Sequence, residues 1–162
     1  MLKFRRYEAK DNAAAKALNY AGLKQMRPDI DWEGIEVADG DYDDIGNIYI
    51  GNRGDFIVGT LDGELVVTGA VKKLDETCAE IKRIRVKPEY QRRGYGEAMT
   101  YELIRIAGEL GYDKIRIDTM TTNTRAQALF KKTGFEFGYQ GKIGEYDVLF
   151  YFMDLKSSQN SS

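Results

Sequence analysis

The residues best suited to chemistry lie in one short run, Gln91-Arg92-Arg93-Gly94-Tyr95-Gly96. Two closely spaced glycines let backbone N–H groups turn toward a single point, and the arginines beside them add charge-assisted contacts to an anion there. Where such a run opens a helix, the helix dipole strengthens the hold on a phosphate. A nucleoside-triphosphate loop needs Lys-Ser or Lys-Thr after its last glycine, and Glu97-Ala98 stands there instead. A dinucleotide turn needs a third small residue where Met99 stands, so that pattern is incomplete as well. The chain has no histidine and one cysteine, Cys78. That removes Ser-His-Asp and Cys-His nucleophile systems, histidine-bearing metal sites and any internal disulfide, and no metal is expected.

Such a turn needs a strand to feed it and a helix to leave it. Residues 77–86 carry the alternating Ile81, Ile84 and Val86, and Pro88 ends the run because proline cannot extend a ladder. Met99, Leu103, Ile106, Ala107 and Leu110 then recur at threes and fours, one apolar helix face stopped at Gly111. Upstream, residues 2–7 alternate as a first strand. Asp11 is placed to cap a helix over 12–23, with a short helical continuation to Met26 before Arg27-Pro28 breaks it. Residues 56–58 and 64–71 read as strands around an Asp62-Gly63 turn. Residues 114–118 read as a strand parallel to 77–86 across the helical crossover. Thr122 or Asn123 caps a helix over 124–132 that stops at Gly134, and 135–139 with 148–155 form a last antiparallel pair across a Gly-rich loop.

The pattern Gln/Arg-x-x-Gly-x-Gly after a strand ending in Val-x-Pro resembles the acetyl-CoA site of the GNAT superfamily of N-acetyltransferases. Asn123-x-x-Ala126-x-x-Leu129-Phe130-x-x-x-Gly134-Phe135 resembles its second signature, and the likeness runs over residues 56–152. The resemblance implies an α/β (α+β) fold with a mixed, largely antiparallel central sheet flanked by helices. It implies acetyl-CoA as co-substrate for direct transfer of an acetyl group to a primary amine of a small molecule, peptide or protein. The pyrophosphate would meet the backbone of Gln91, Arg92, Arg93, Gly94, Tyr95, Gly96 and Glu97, and the pantetheine would pair along the main chain of Ile84, Arg85 and Val86. Asn123 would also touch the pantetheine, a role that stands level with a plain helix cap. The Val86 N–H would face the developing oxyanion.

An amine with a pKa of about 10 is protonated at neutral pH, so a proton must leave before attack. Glu80 stands eleven residues before Gln91. In the histone-acetyltransferase branch the base glutamate stands at that distance, so the resemblance makes Glu80 the catalytic base. Many members carry tyrosine where Phe130 stands, and phenylalanine cannot protonate the leaving thiolate. Tyr139, Tyr146 and Tyr151 are substitutes, or the thiolate leaves unaided. The missing tyrosine also keeps open an alternative, a non-catalytic acyl-CoA-binding or sensor module.

At 162 residues, the chain is expected to form one domain over 1–156 with a disordered polar tail at 157–162. A composition 43% hydrophobic and 31% charged is that of a globular protein. No apolar run approaches about 18 residues and no signal-peptide pattern opens the chain, so no membrane contact is expected. With the lone cysteine, this favours a cytoplasmic location. A net charge of −2 disfavours nucleic acid as a partner, despite Lys82, Arg83, Arg85, Lys87, Arg92 and Arg93. A homodimer stays open. Residues 29–44 hold eight acids and no base. They read as a solvated loop or as an acidic rim that draws a cationic amine acceptor.

Overall fold

The computed structural model describes residues 1–33 and 35–155, leaving aside the side chains of Glu36 and Val37. The expected disordered tail lies outside the described residues. Seven strands form one sheet in the order β1-β2-β3-β4-β5-β7-β6. They are β1 (Lys3–Arg6), β2 (Asp55–Leu61), β3 (Glu64–Lys73), β4 (Cys78–Val86), β5 (Lys114–Met120), β6 (Glu136–Ile143) and β7 (Tyr146–Asp154). The helices are α1 (Asn12–Met26), α2 (Glu36–Asp39), α3 (Tyr95–Glu109) and α4 (Thr124–Lys132). The β4–β5 pair is parallel because α3 carries the chain back across the sheet, and every other pair is antiparallel.

Helix α3 lays Met99, Leu103 and Ala107 on one face of the sheet, against Val67, Val71, Ile81 and Ile115. Gly69 on β3 makes room for it: a Cβ there would stand 2.6 Å from Leu103 Cδ1 and 2.7 Å from Met99 Cγ. Helix α1 covers the opposite face, where Ala15, Tyr42, Tyr49, Phe56 and Ala70 form a second buried cluster. Both faces of the central strands are therefore buried, which is why Val66, Val67 and Val71 follow so closely on β3.

Three local expectations differ from the fold. Helix α1 runs unbroken to Met26, and the Asp11 carboxylate does not cap it. That carboxylate instead accepts the Glu8 N–H at 2.8 Å and two hydrogen bonds from Arg5 at 2.7 and 2.8 Å. The acidic segment is part helical, with α2 and a 3-10 turn over Gly40–Asp43 in its second half and a π-helical turn over Gly46–Ile50 just after it. β6 and β7 are longer than expected and meet at Gly144-Glu145, where Gly144 has φ +60. Among the described residues no helix is long and apolar enough to cross a membrane, and no group of three or more acidic, histidine or cysteine side chains is placed to hold a metal ion.

Candidate active site

The site is built on two irregularities of β4. Toward β5, the strand pairs only at Cys78–Lys114, Ala79–Ile115 and Glu80–Arg116, and beyond that rung the two strands part. Toward β3, the register shifts between Ala70–Lys82 and Thr68–Arg85, a bulge in which Arg83 takes φ +60. The Thr68 hydroxyl donates to the turned-out Arg83 carbonyl at 2.8 Å. The extra residue returns Ile84 and Val86 to the core side occupied by Ile81, and leaves Lys82, Arg83 and Arg85 together on the α1 side.

Two cavities meet in the splay. One, of about 810 Å³, is lined by Tyr90–Arg92 and Gly94–Glu97 of the turn and by Gly22, Gln25 and Met26 of α1. Arg92 (φ +64) and Gly94 (φ +84) alternate handedness ahead of α3, so its first N–H groups open on this space. The Gln91 side chain fixes the turn, donating to the Val86 carbonyl at 3.1 Å and to Gln25 Oε1 at 2.8 Å. Glu97 would repel an anion at the helix start, but Lys132 of α4 pairs with it at 3.1 Å. Arg125 and Lys132 also line this cavity. Sequence patterns missed both, because α4 reaches the turn only through the fold. Asn123 lines both cavities, and its Oδ1 caps α4 by accepting the Ala126 N–H at 3.1 Å.

The second cavity, of about 420 Å³, shares Met26, Ile84, Arg85, Asn123, Ala126 and Leu129 with the first. Its far wall is largely apolar, including Leu23, Trp32, Ile117 and Tyr146. The Trp32 and Tyr146 rings lie 6.3 Å apart and join the α1–α2 segment to the β6–β7 hairpin. Phe130 lines this cavity while packing on Phe135 and Tyr151 behind it, 5% exposed. Of the three candidate tyrosines only Tyr146 lines it. Tyr151 is buried in the core, and Tyr139 stacks on Phe150 and Phe152 at the sheet edge.

The charges divide unevenly. Glu80 accepts from Arg116 Nε at 3.1 Å and from its Nη2, and Lys82 Nζ stands 3.9 Å away. Glu80 lines neither cavity. Asp118, two residues beyond Arg116 on β5, does line the smaller one, and its carboxylate makes no hydrogen bond or ion pair with a described residue. Burial pushes its carboxyl above the ordinary range, and the Glu80 charge adds to the shift. No local pattern marks Asp118, since its setting depends on where the β4–β5 ladder ends.

Across the cavity, Arg83 donates to Asp41 at 2.9 and 2.7 Å. Burial would raise the Asp41 carboxyl, but the Arg83 hydrogen bonds and charge, with the Tyr49 hydroxyl, hold it below the usual range. Part of the acidic segment is thus spent inside the protein, while Asp29, Asp31, Glu33, Asp43 and Asp44 stay exposed. Asp41 pairs with Arg83, Asp39 accepts from Tyr20, and Lys16 lies near Asp39 and Asp43 at 3.7 and 3.5 Å. Burial lowers Lys82 below its ordinary value.

Residues 23–135 match the model of the acetyltransferase (GNAT) family. Among curated proteins, the chain is 30% identical over 76 residues to the uncharacterized N-acetyltransferase YsnE of Bacillus subtilis, covering 46% of this chain and 50% of that one. It is 31% identical over 103 residues to human N-acetyltransferase 8, covering 59% and 45%. The matches span half or less of the first curated relatives' own lengths. An acetyltransferase of the GNAT family from Staphylococcus aureus Mu50 superposes with a TM-score of 0.82 at 19% identity, over 96% of this chain and 100% of that one. A Salmonella typhimurium chain solved with its cofactor acetyl-CoA superposes at 0.76 and 17%, over 95% and 94%. At those identities the likeness is one of fold.

Proposed function

Because the chain belongs to the acetyltransferase (GNAT) family, we propose that residues 1–156 form one catalytic domain that transfers an acetyl group from acetyl-CoA to a primary amine. The observation that carries this is the pair of joined cavities, one opening on the nest at the start of α3 and the other on an amine-sized chamber beyond the splay. The donor cavity fits a nucleotide-bearing thioester. Backbone N–H groups of 91–97 with Arg125 and Lys132 would hold the pyrophosphate, and the β4 edge at Ile84–Val86, unpaired toward β5, would take the pantetheine amides. The bound thioester supplies an acyl carbon and a thiolate leaving group.

Two carboxylates stand near the reacting position, Glu80 by spacing and Asp118 by geometry. We assign proton acceptance to Asp118, which lines the cavity and whose carboxyl burial raises above its ordinary value, toward that of a useful base. Glu80, held by Arg116, is a positioning residue: its charge helps raise Asp118 and its ion pair closes the splay. The amine nitrogen bonds to the acyl carbon, the carbon–sulfur bond breaks, and the amine's proton passes to Asp118. The thiolate, whose thiol pKa is about 8.5, leaves without a tyrosine at Phe130 and takes a proton from water.

The test is release of free thiol from acetyl-CoA with a panel of amines, alongside a thermal shift on acetyl-CoA binding. Thiol release that requires an amine supports acetyl transfer. Binding without turnover on any amine would favour the sensor alternative.

A further inference from the structure

The two arginines that flank the β4 bulge are treated differently. Arg83 is neutralised by a bidentate pairing with Asp41. Arg85 donates only to neutral oxygens, from Nε to Asn19 Oδ1 at 3.1 Å and from Nη1 to the Ile84 carbonyl at 3.3 Å. It makes no ion pair with a described carboxylate. Its stem is held against α1 at Gly22, where a Cβ would stand 2.6 Å from Arg85 Cδ and 3.0 Å from Nε. A guanidinium taken largely out of water without a counter-charge is costly, and the fold has fixed its position rather than letting it swing to solvent.

Asp118 lines the same cavity from the opposite strand, and the two side chains do not meet. A cation and an anion thus line the same small, mostly apolar space without pairing. Lys82 lies on the same wall 3.9 Å from Glu80, so it and Arg83 each have a carboxylate partner among the described residues and Arg85 has none. That arrangement disfavours a polycation. It matches a molecule carrying both an amine and an oxyanion.

Resting on the acetyl-transfer reading above, we infer that the acceptor is an amino-acid-like zwitterion, a primary amine with a carboxylate a few atoms away. The carboxylate docks on Arg85 and the amine is presented to Asp118. A planar carboxylate suits a guanidinium because two N–H groups can donate side by side. The apolar wall at Leu23, Trp32 and Tyr146 takes the rest of the molecule. Peptide N-termini lack the neighbouring carboxylate and polyamines lack any, so both bind less well.

The test uses matched pairs: free L-amino acids, each with its carboxamide, and spermidine as a polycation, with thiol release as the readout. Wherever a pair is turned over, the acid is expected to exceed its amide at least tenfold in kcat/KM. Arg85→Met should bring that ratio near one by raising KM for the acid, and Arg85→Lys should restore part of it. A thermal shift of the wild-type protein with CoA present should show stabilisation by the acid and not by the amide, a readout independent of the variants. Amides or spermidine acetylated as well as the acids would overturn the inference while leaving acetyl transfer intact. So would an Arg85→Met variant that weakens acetyl-CoA and leaves the acid-to-amide ratio alone. Failure of acetyl-CoA to bind or to react with any amine would remove the acetyl-transfer reading, and this inference with it.

Discussion

Glu80 and Arg116 face each other on the last rung that β4 and β5 share, and their side chains close that rung as an ion pair. The Glu80 oxygen that accepts from Arg116 is turned to that partner, and Glu80 lines neither cavity. Glu80→Gln keeps the shape and leaves Arg116 without its counter-charge. We expect stability in urea to fall by about 1–3 kcal/mol and kcat to fall less than about tenfold. A kcat loss of about 10²–10⁴ that recovers at high pH would move the base back to Glu80.

Asp118→Asn should give the larger kinetic effect, a fall in kcat of about 10²–10⁴ at neutral pH that shrinks where the amine is already neutral. Its effect on stability should have the opposite sign. Burial raises the folded-state pKa of Asp118, so its contribution favours the fold below the unfolded value of 3.8 and is lost as pH rises through the folded pKa. The Asn variant should therefore melt above wild type at neutral pH, and the gap should close in acid. Equal melting temperatures across the range would show that the carboxyl is well solvated and the assignment misplaced.

Asp41 behaves in reverse. Its folded pKa is depressed, so its contribution is present above the unfolded value of 3.8 and disappears as pH falls through the folded pKa. Asp41→Asn would leave the buried Arg83 guanidinium without an anion, a loss of about 3–5 kcal/mol by denaturant titration. A near-neutral substitution would mean that Arg83 finds water or another acid.

The turn, the strand before it and the helix after it were legible because glycine spacing, alternation and threefold–fourfold periodicity are local. Asn123 was legible as a cap for the same reason. The Asp41–Arg83 pairing joins residues far apart in the chain, so an acidic segment that read as a solvated loop or a rim gave no sign that one of its members is an internal counter-ion. Asp118 had no local mark, and the bulge that gathers Lys82, Arg83 and Arg85 depends on the register with β3. Distance in sequence, more than ambiguity of residue type, separated the readable part of the site from the rest.

The two glycines of the turn should separate in their effects. Gly94 sits at φ +84 with open space around it, so Gly94→Val strains the backbone even in the free protein. Gly96 is helical, and a Cβ there would stand 3.5 Å from Val86 Cγ2, an ordinary contact. Both valine variants should weaken acetyl-CoA at least tenfold, about 1.4 kcal/mol, by calorimetry. Only Gly94→Val should also lower the melting temperature. Full acetyl-CoA affinity in both would place the pyrophosphate elsewhere.

Phe130 is both cavity wall and core. Phe130→Ala should cost about 3–5 kcal/mol of stability, while Phe130→Tyr should fold and bring a hydroxyl to the position where the resemblance supplies an acid. Denaturant midpoints and kcat for the two variants separate packing from chemistry. An alanine variant with an unchanged midpoint would make the ring a substrate contact alone.

β4 and β5 share three residue pairs, whereas β5 and β7 share seven. The sheet is therefore two blades, β1 to β4 and β5 to β6, riveted at one end and open at the other. On the proposed reading, a pantetheine lying between Ile84–Val86 and the far blade would supply the second rivet. Its binding energy then adds to the cohesion of the whole fold, by about 2.7 kcal/mol at a hundredfold excess over Kd. Amide exchange along the outer halves of β4 and β5 should slow together on binding, as one hinge rather than two strands.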